Sequence, residues 1–342
     1  MMNTPGTRRS NTAIHPLSYC ILPLAIGGKG PLRVHPKNRG APGASAVSAD
    51  EGDRMAQSAP RQPTVATGRR VGLSFSENLP KMGVDMAGPL EGIKVIEMGV
   101  WVAGPSAAAI LADWGADVIK IEPPTGDPMR GVFTTAFRSN VSVNPPFEQD
   151  NRGKRSLALN VDTPEGKEIA LQLVRQADVF ITNLRPRAIR DLGLTYEELS
   201  ALNPRLVYCH VTGYGTEHDE EDRPSYDVGA FWSRAAVGAM LVPIGSPPPQ
   251  QRGGMGDHMT GCNAAGAIAA ALFHRERTGR GQKVSVSLLR VGAYMMSWDI
   301  MIASRLNTTV RPQDRFHVVN PIVNCYRAKD GRWFWLLLLQ AD

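Results

Sequence analysis

The stretch GGMGDHMTGCN, residues 253–263, places one carboxylate, Asp257, among Gly253, Gly254 and Gly256, just ahead of a run of alanines. Glycines let a backbone approach a ligand closely, and free N–H groups at a helix start stabilise negative charge developing on an oxygen. A loop of this kind could hold a nucleophilic carboxylate and an oxyanion site together. The same spacing fits a quieter role, because Asp is also a favoured helix N-cap, as is Thr260. Spacing alone leaves both roles open for Asp257.

Other polar groups fall where ligands bind in open α/β sheets. GVWVAGP, residues 99–105, makes a tight turn between a strand and a helix, but it lacks the G-x-G-x-x-G pattern of a dinucleotide site. NRGKRS puts Arg152, Lys154 and Arg155 in a short loop before the strand LALNV, where they could meet a nucleotide phosphate or form a solvated turn. Asn183, Arg185 and Arg187 follow the C-terminal end of a strand, a better address for ligand contact. His210 and His258 have no metal-ligand spacing and no G-x-S-x-G elbow accompanies them, so both read as structural, and no metal is expected.

The elements that must position these groups alternate. LEGIKVIEMG reads as a strand, GPSAAAILADWGA as a helix opened by Pro105, and DVIKIE as a second strand. Thr163 and Pro164 start another helix, and Thr195 with Glu198 forms a capping box. The stretch from Met259 to Gly281 predicts a buried helix capped by Thr260 and ended at Gly279, with basic residues in its last turns. QKVSVSLL is a strand, RVGAYMMSWDIMIASRL one helix, and NCYRAKDGRWFWLLLLQ a hairpin turning at Asp330-Gly331. This alternation implies a mostly parallel sheet flanked by helices. The apolar FWLLLLQ calls for a covering layer that no further element supplies, so the last domain reads as truncated.

Composition narrows the function. Of 342 residues 42% are apolar, and the net charge is +6. Residues 1–88 hold 11 Lys or Arg against 5 Asp or Glu, and the rest of the chain carries 27 of each sign. The basic charge therefore belongs to the leader, and no nucleic-acid partner is expected. Residues 1–85 mix Gly, Pro, Ser, Ala and Arg without periodicity and read as a disordered or mis-annotated leader. Its lack of acids before Asp50 is also a trait of mitochondrial transit peptides, so the expected location is cytoplasmic, or mitochondrial if the leader is a real transit peptide. Cys20, Cys209, Cys262 and Cys325 form no Cys-x-x-Cys pair, and no run is long enough to span a bilayer, so no membrane association is expected.

PLEGIKVIEMG, AGPSAAAILADWGADVIKIEPPTGDPMRG, NRGKRSLALNVDTPEGKEIALQLVRQADVFITNLRP, LGLTYEELSALNPRLVYCHVTGYG and HRERTGRGQKVSVSLL together resemble the class III CoA-transferases, the CaiB/BaiF family. That family includes formyl-CoA transferase and, as relatives, the α-methylacyl-CoA racemases. The likeness runs from Pro89 to Asp342. It implies a Rossmann-like large domain over 86–300, a linker and the beginning of a small domain over 301–342, and interlocked homodimers. It also implies that Asp257 is the nucleophile. The expected reaction moves CoA from an acyl-CoA donor to a carboxylic acid acceptor through an aspartyl anhydride and an aspartyl-CoA thioester.

By the same resemblance, CoA contacts fall on Val102, Ala103, Leu159 with Arg155 nearby, and Asn183, with Arg190 as a phosphate partner. Gly254, Gly256 and Tyr226 line the substrate pocket. Tyr226 stands where the racemases carry a histidine base, and an unperturbed tyrosine pKa of about 10 favours transfer over racemisation. Formyl-CoA transferase has glutamine at the place of Val102 and arginine at that of Pro123, which argues against formyl-CoA as donor. An acyl-CoA racemase and an inactive truncated homologue are the competing readings.

Overall fold

The computed structural model describes residues 88–135 and 143–340, so the leader expected over 1–85 lies outside the described residues. Six strands form one sheet: β1 (Lys94–Met98), β2 (Asp117–Glu122), β3 (Lys154–Ala158), β4 (Val179–Thr182), β5 (Val207–Thr212) and β6 (Lys283–Ser287). Every neighbouring pair is parallel, in the order β3-β2-β1-β4-β5-β6. The order reverses between β1 and β4, and a crevice opens at such a reversal beyond the strands' C-terminal ends.

The helices are α1 (Ala103–Asp113), α2 (Val132–Thr135), α3 (Pro145–Asn151), α4 (Pro164–Arg175), α5 (Pro186–Leu192), α6 (Tyr196–Leu202), α7 (Val237–Met240), α8 (Met255–Thr278), α9 (Leu288–Met295) and α10 (Ser297–Leu306). Successive strand residues point to opposite faces, and both faces are apolar. Val95, Val118, Ile181 and Cys209 pack against the alanines of α1 and α8. Ile96, Ile121, Phe180 and Tyr208 pack against Ala170 and Val174 of α4, Ile189 of α5 and Leu199 of α6. Thr163 caps α4 and the Thr195–Glu198 box caps α6 as the sequence predicts.

Four boundaries differ from the sequence expectation. α1 opens at Ala103 rather than Pro105, because Ser106 N–H already bonds Val102 O at 2.7 Å. α8 opens at Met255, not Thr260: Thr260 is buried inside it, and its hydroxyl donates to Gly256 O at 2.8 Å. Lys154 and Arg155 belong to β3 rather than to a loop. The single helix expected after β6 breaks at Met296 into α9 and α10. The predicted domain boundary at 300 falls inside α10.

Two features hold α8 in place. At its C-terminal end the buried Arg275 pairs with Asp178 at 2.8 Å, and Asp178 also accepts Lys94 N–H at 2.8 Å. Near its other end, Gly261 lets α1 approach so closely that a Cβ there would lie 2.0 Å from Ser106 Oγ and 3.1 Å from Ala107 N. Gly261→Ala is expected to cost about 1–3 kcal/mol through overpacking. Gly266, with nothing within 4 Å, is the control, since Gly266→Ala should gain about 0.5–1 kcal/mol of helix propensity. Urea unfolding midpoints moving in opposite directions check both, and a harmless Gly261→Ala would contradict the tight contact.

Beyond α10 the chain forms an antiparallel hairpin of β7 (Val323–Arg327) and β8 (Trp333–Leu337), turning at Gly331 with φ 85°. α10 buries none of its residues, and Trp335 on β8 is 81% exposed. Among the described residues, no helix is long and apolar enough to cross a membrane.

Candidate active site

Beyond the C-terminal end of β1, the turn into α1 is tied at every residue that matters. Asn183, just past β4, accepts from Val100 N–H at 2.9 Å and donates to Val100 O at 2.7 Å. Lys120 Nζ donates to Gly99 O at 2.9 Å, and Asp127 Oδ1 accepts from Trp101 N–H at 3.1 Å. These bonds hold Trp101 at φ 64°, a left-handed conformation unfavourable for a bulky side chain. The Trp101 ring meets Tyr226 edge to face, with centroids 5.6 Å apart.

Beneath the turn lies a buried charge cluster. Glu97 on β1 bonds Lys120 of β2 through Oε1 and Lys154 of β3 through Oε2, each at 2.7 Å. Asp127 Oδ2 forms a second ion pair with Lys120 Nζ at 3.0 Å. Two acids and two lysines balance. Burial opposes the Lys120 charge, but Glu97 and Asp127 raise its pKa above the ordinary value. Burial prevails at Lys154 and lowers its pKa, despite Glu97. Lys154 Nζ also donates to Pro105 O, Asp150 O and Asn151 Oδ1, joining α1 to the end of α3. Burial pushes Glu122's carboxyl up, yet bonds from Arg130, Asp127 N–H and Ser156 outweigh it and hold the group at about 2. Glu122 thereby fixes the turn that carries Asp127.

Asp257 stands in the first turn of α8 and does not cap it. Gly254 occupies the capping position at φ 70°, and Asp227 Oδ2, from the segment before α7, accepts Gly256 N–H at 3.1 Å. Only glycine fits at 256, since a Cβ would lie 2.7 Å from Phe231 and 2.9 Å from Asp227. With Asp227 serving the helix end, no hydrogen bond among the described residues engages the Asp257 carboxylate. The N–H groups of Gly253, Gly254 and Asp257 likewise have no partner among the described residues. Burial pushes the Asp257 carboxyl up to about 7; Asp227 adds to the shift, His258 pulls against it, and Asp150 adds again.

His258, read from sequence as structural, faces this site. Its Nε2 pairs with Oδ1 of Asp150 at 2.9 Å, and the Asp150 side chain is only 2% exposed. That bond raises the His258 pKa above the usual histidine range against the pull of burial; the Asp150 and Asp257 charges add, and Arg152 opposes. The ring lies over the glycine turn: a Cβ on Gly254 would be 3.2 Å from His258 Cε1 and 3.4 Å from Val102 Cγ1.

Val102, Gly254, Gly256 and Asp257 are thus brought together, with Tyr226 joined to them through Trp101 and Asp227. Ala103 is buried at the start of α1, and Asn183 acts on the turn's backbone. Leu159 extends β3 through a bond to Glu122 O and packs in the α4-side core. Arg155 stands apart, paired with Asp117 at 2.6 Å and lining a cavity of about 260 Å³ with Lys94, Ile119 and Leu173. Arg190 is held by Glu221 at 2.9 Å and Asp222 at 3.0 Å. The three cations of NRGKRS all have acidic partners: Arg152 with Asp113, Lys154 with Glu97, Arg155 with Asp117. Sequence reasoning missed Asp150, Asp227, Glu97 and Lys120, since no local spacing links residues that meet from 23 to 108 positions apart.

The chain matches several known proteins. It is 38% identical over 255 residues to the (R)-2-hydroxy-4-methylpentanoate CoA-transferase of Clostridioides difficile, covering 74% of this chain and 63% of that protein. It is 36% identical over 241 residues to the cinnamoyl-CoA:phenyllactate CoA-transferase of Clostridium sporogenes, covering 70% and 58%. Among solved structures, a CaiB/BaiF family protein from Brucella suis superposes with a TM-score of 0.63 at 32% identity, covering 73% of this chain and 66% of that one. The chain spans about three fifths of the length of these two curated relatives. With the model for CoA-transferase family III matching residues 90–342, the chain belongs to that family.

Proposed function

We propose that the chain takes part in moving CoA from an acyl-CoA to a free carboxylic acid, with Asp257 as the covalent nucleophile. The observation that carries this reading is the Asp257 carboxylate, which no hydrogen bond among the described residues engages, in the first turn of a helix whose end Asp227 serves and where the Gly253, Gly254 and Asp257 N–H groups have no partner among the described residues. An ionised Asp257 oxygen attacks the thioester carbonyl, the oxyanion draws on those N–H groups, and the C–S bond breaks to give an aspartyl acyl anhydride and CoA thiolate. The thiolate then attacks the anhydride at the aspartyl carbonyl, releasing the donor acid and leaving an aspartyl-CoA thioester. The acceptor carboxylate attacks that thioester, expelling CoA thiolate and forming a second aspartyl anhydride; the thiolate then attacks the acceptor's carbonyl, giving the new acyl-CoA and freeing the Asp257 carboxylate.

CoA would approach over the β1–α1 turn at Val102, with Asn183 and the buried cluster keeping that backbone in place. Arg190 could receive a CoA phosphate only in exchange for Glu221 and Asp222. Tyr226 is 62% exposed and braced against Trp101, which suits a pocket wall better than a proton-abstracting base. The named relatives act on hydroxy acids and aryl acids, and the Trp101–Tyr226 pair would favour bulky acids of that kind.

Intact-mass analysis after incubation with acyl-CoAs and hydroxylamine trapping tests the reading. Label is expected on Asp257 and absent from Asp257→Ala; equal labelling of the two proteins would remove Asp257 from the mechanism.

A further inference from the structure

CoA transfer between carboxylates needs no net proton movement, yet the structure sets a histidine held by a buried carboxylate beside the nucleophile. We propose that His258 is a catalytic cation that receives the CoA thiolate expelled when Asp257 attacks, and that Asp150 is its positioning residue. The proposal rests on the reading of Asp257 given above.

Three observations carry it. Nε2 is committed to Asp150 at 2.9 Å, which leaves Nδ1 as the free donor of the imidazolium. The His258 side chain is 43% exposed, so a substrate atom can reach it. Its Cε1 and Nδ1 lie 3.2 and 3.4 Å from the Cβ position of Gly254, a point that is also 3.4 Å from Val102. A thioester crossing the turn at Val102 toward Asp257 therefore passes this nitrogen. Asp150 is itself anchored, since Lys154 Nζ holds its carbonyl and bonds Glu97 beneath the turn. The groups facing the imidazole are Asp150 from α3, Asp257 from α8 and Arg152 at the end of α3.

In the step itself, an Asp257 oxygen bonds to the thioester carbon, the C–S bond breaks, and its electron pair stays on sulfur. The thiolate accepts a charge-assisted hydrogen bond from Nδ1–H. Sulfur keeps its charge and nucleophilicity for the return attack on the anhydride, and His258 keeps its proton. A leaving group that is already a stable anion gains little from such a cation, whereas CoA thiolate gains much.

The test is the initial rate of Asp257 labelling in the full-length chain with two donors of the same acid, its CoA thioester and its thiophenyl ester. His258→Gln is expected to slow labelling by the CoA ester about 10- to 100-fold and labelling by the aryl ester no more than about threefold. Asp150→Asn, which keeps the side-chain shape, should move the loss of rate with rising pH to a lower pH for the CoA ester, because it removes the group that keeps His258 charged. This variant carries the test if His258→Gln fails to fold. Equal losses on the two esters, or an unmoved pH limb in Asp150→Asn, would overturn the proposal. A wild-type chain labelled by neither ester would instead remove the Asp257 reading and this inference with it.

Discussion

Asp257→Asn is expected to abolish covalent labelling, by at least about 10³-fold, and to make the folded chain more stable at pH 8 than the wild type. The two effects share one cause. Burial pushes the Asp257 carboxyl up to about 7 from its ordinary 3.8. Between those values the folded chain holds a proton that the unfolded chain has released, so wild-type stability falls as pH rises from about 4 and levels off above about 7. Asparagine has no such proton. The stability difference should therefore be absent near pH 4, grow through pH 5 and 6, and reach about 1–3 kcal/mol at pH 8, after discounting for the carboxylate's partial access to solvent. Urea unfolding at several pH values reads it. Wild-type labelling should rise with pH over the same interval, since only the ionised oxygen attacks. A variant equally stable or less stable than the wild type at pH 8 would mean that the carboxylate is satisfied by a partner.

The parts of this arrangement that were legible in the sequence are local. Alternating strands and helices, the Thr195–Glu198 box and the Gly331 turn follow from spacing within a few residues, and all are in the structure. The glycine loop around Asp257 was also visible, but that Asp257 does not cap α8 could be read only by knowing where Asp227 lies, 29 residues before Gly256. Thr260 misled for a related reason. Its hydroxyl is as well satisfied inside a helix, bonding four residues back, as at a cap. The cations of NRGKRS resembled a phosphate loop because their partners, Asp113, Glu97 and Asp117, come from α1 and the neighbouring strands. His258 had no visible partner, since Asp150 lies 108 positions away on a helix with no periodic link to it. Contacts between residues this far apart in the chain leave no spacing rule.

Glu97→Gln is expected to destabilise the chain by about 3–5 kcal/mol, because it leaves Lys120 and Lys154 buried with Asp127 as the only acid of the cluster. Lys154 already sits below the ordinary lysine pKa and should lose its proton first, which limits the damage as pH rises. Adding Lys154→Met restores neutrality, since Lys120 and Asp127 then balance each other. The double variant should recover part of the lost stability and fall short of the sum of the two single costs. Labelling of Asp257 should not recover with it. Without Lys154 Nζ, Pro105 O, Asp150 O and Asn151 Oδ1 lose a shared donor, so the end of α3 is released from α1 and Asp150 no longer holds His258 in place. Unfolding midpoints and labelling rates measured on the same four proteins separate the two contributions. If labelling returns in step with stability, the cluster serves only to balance charge. If stability returns and labelling does not, the buried lysine is what transmits the position of β1 and α1 to the histidine beside Asp257.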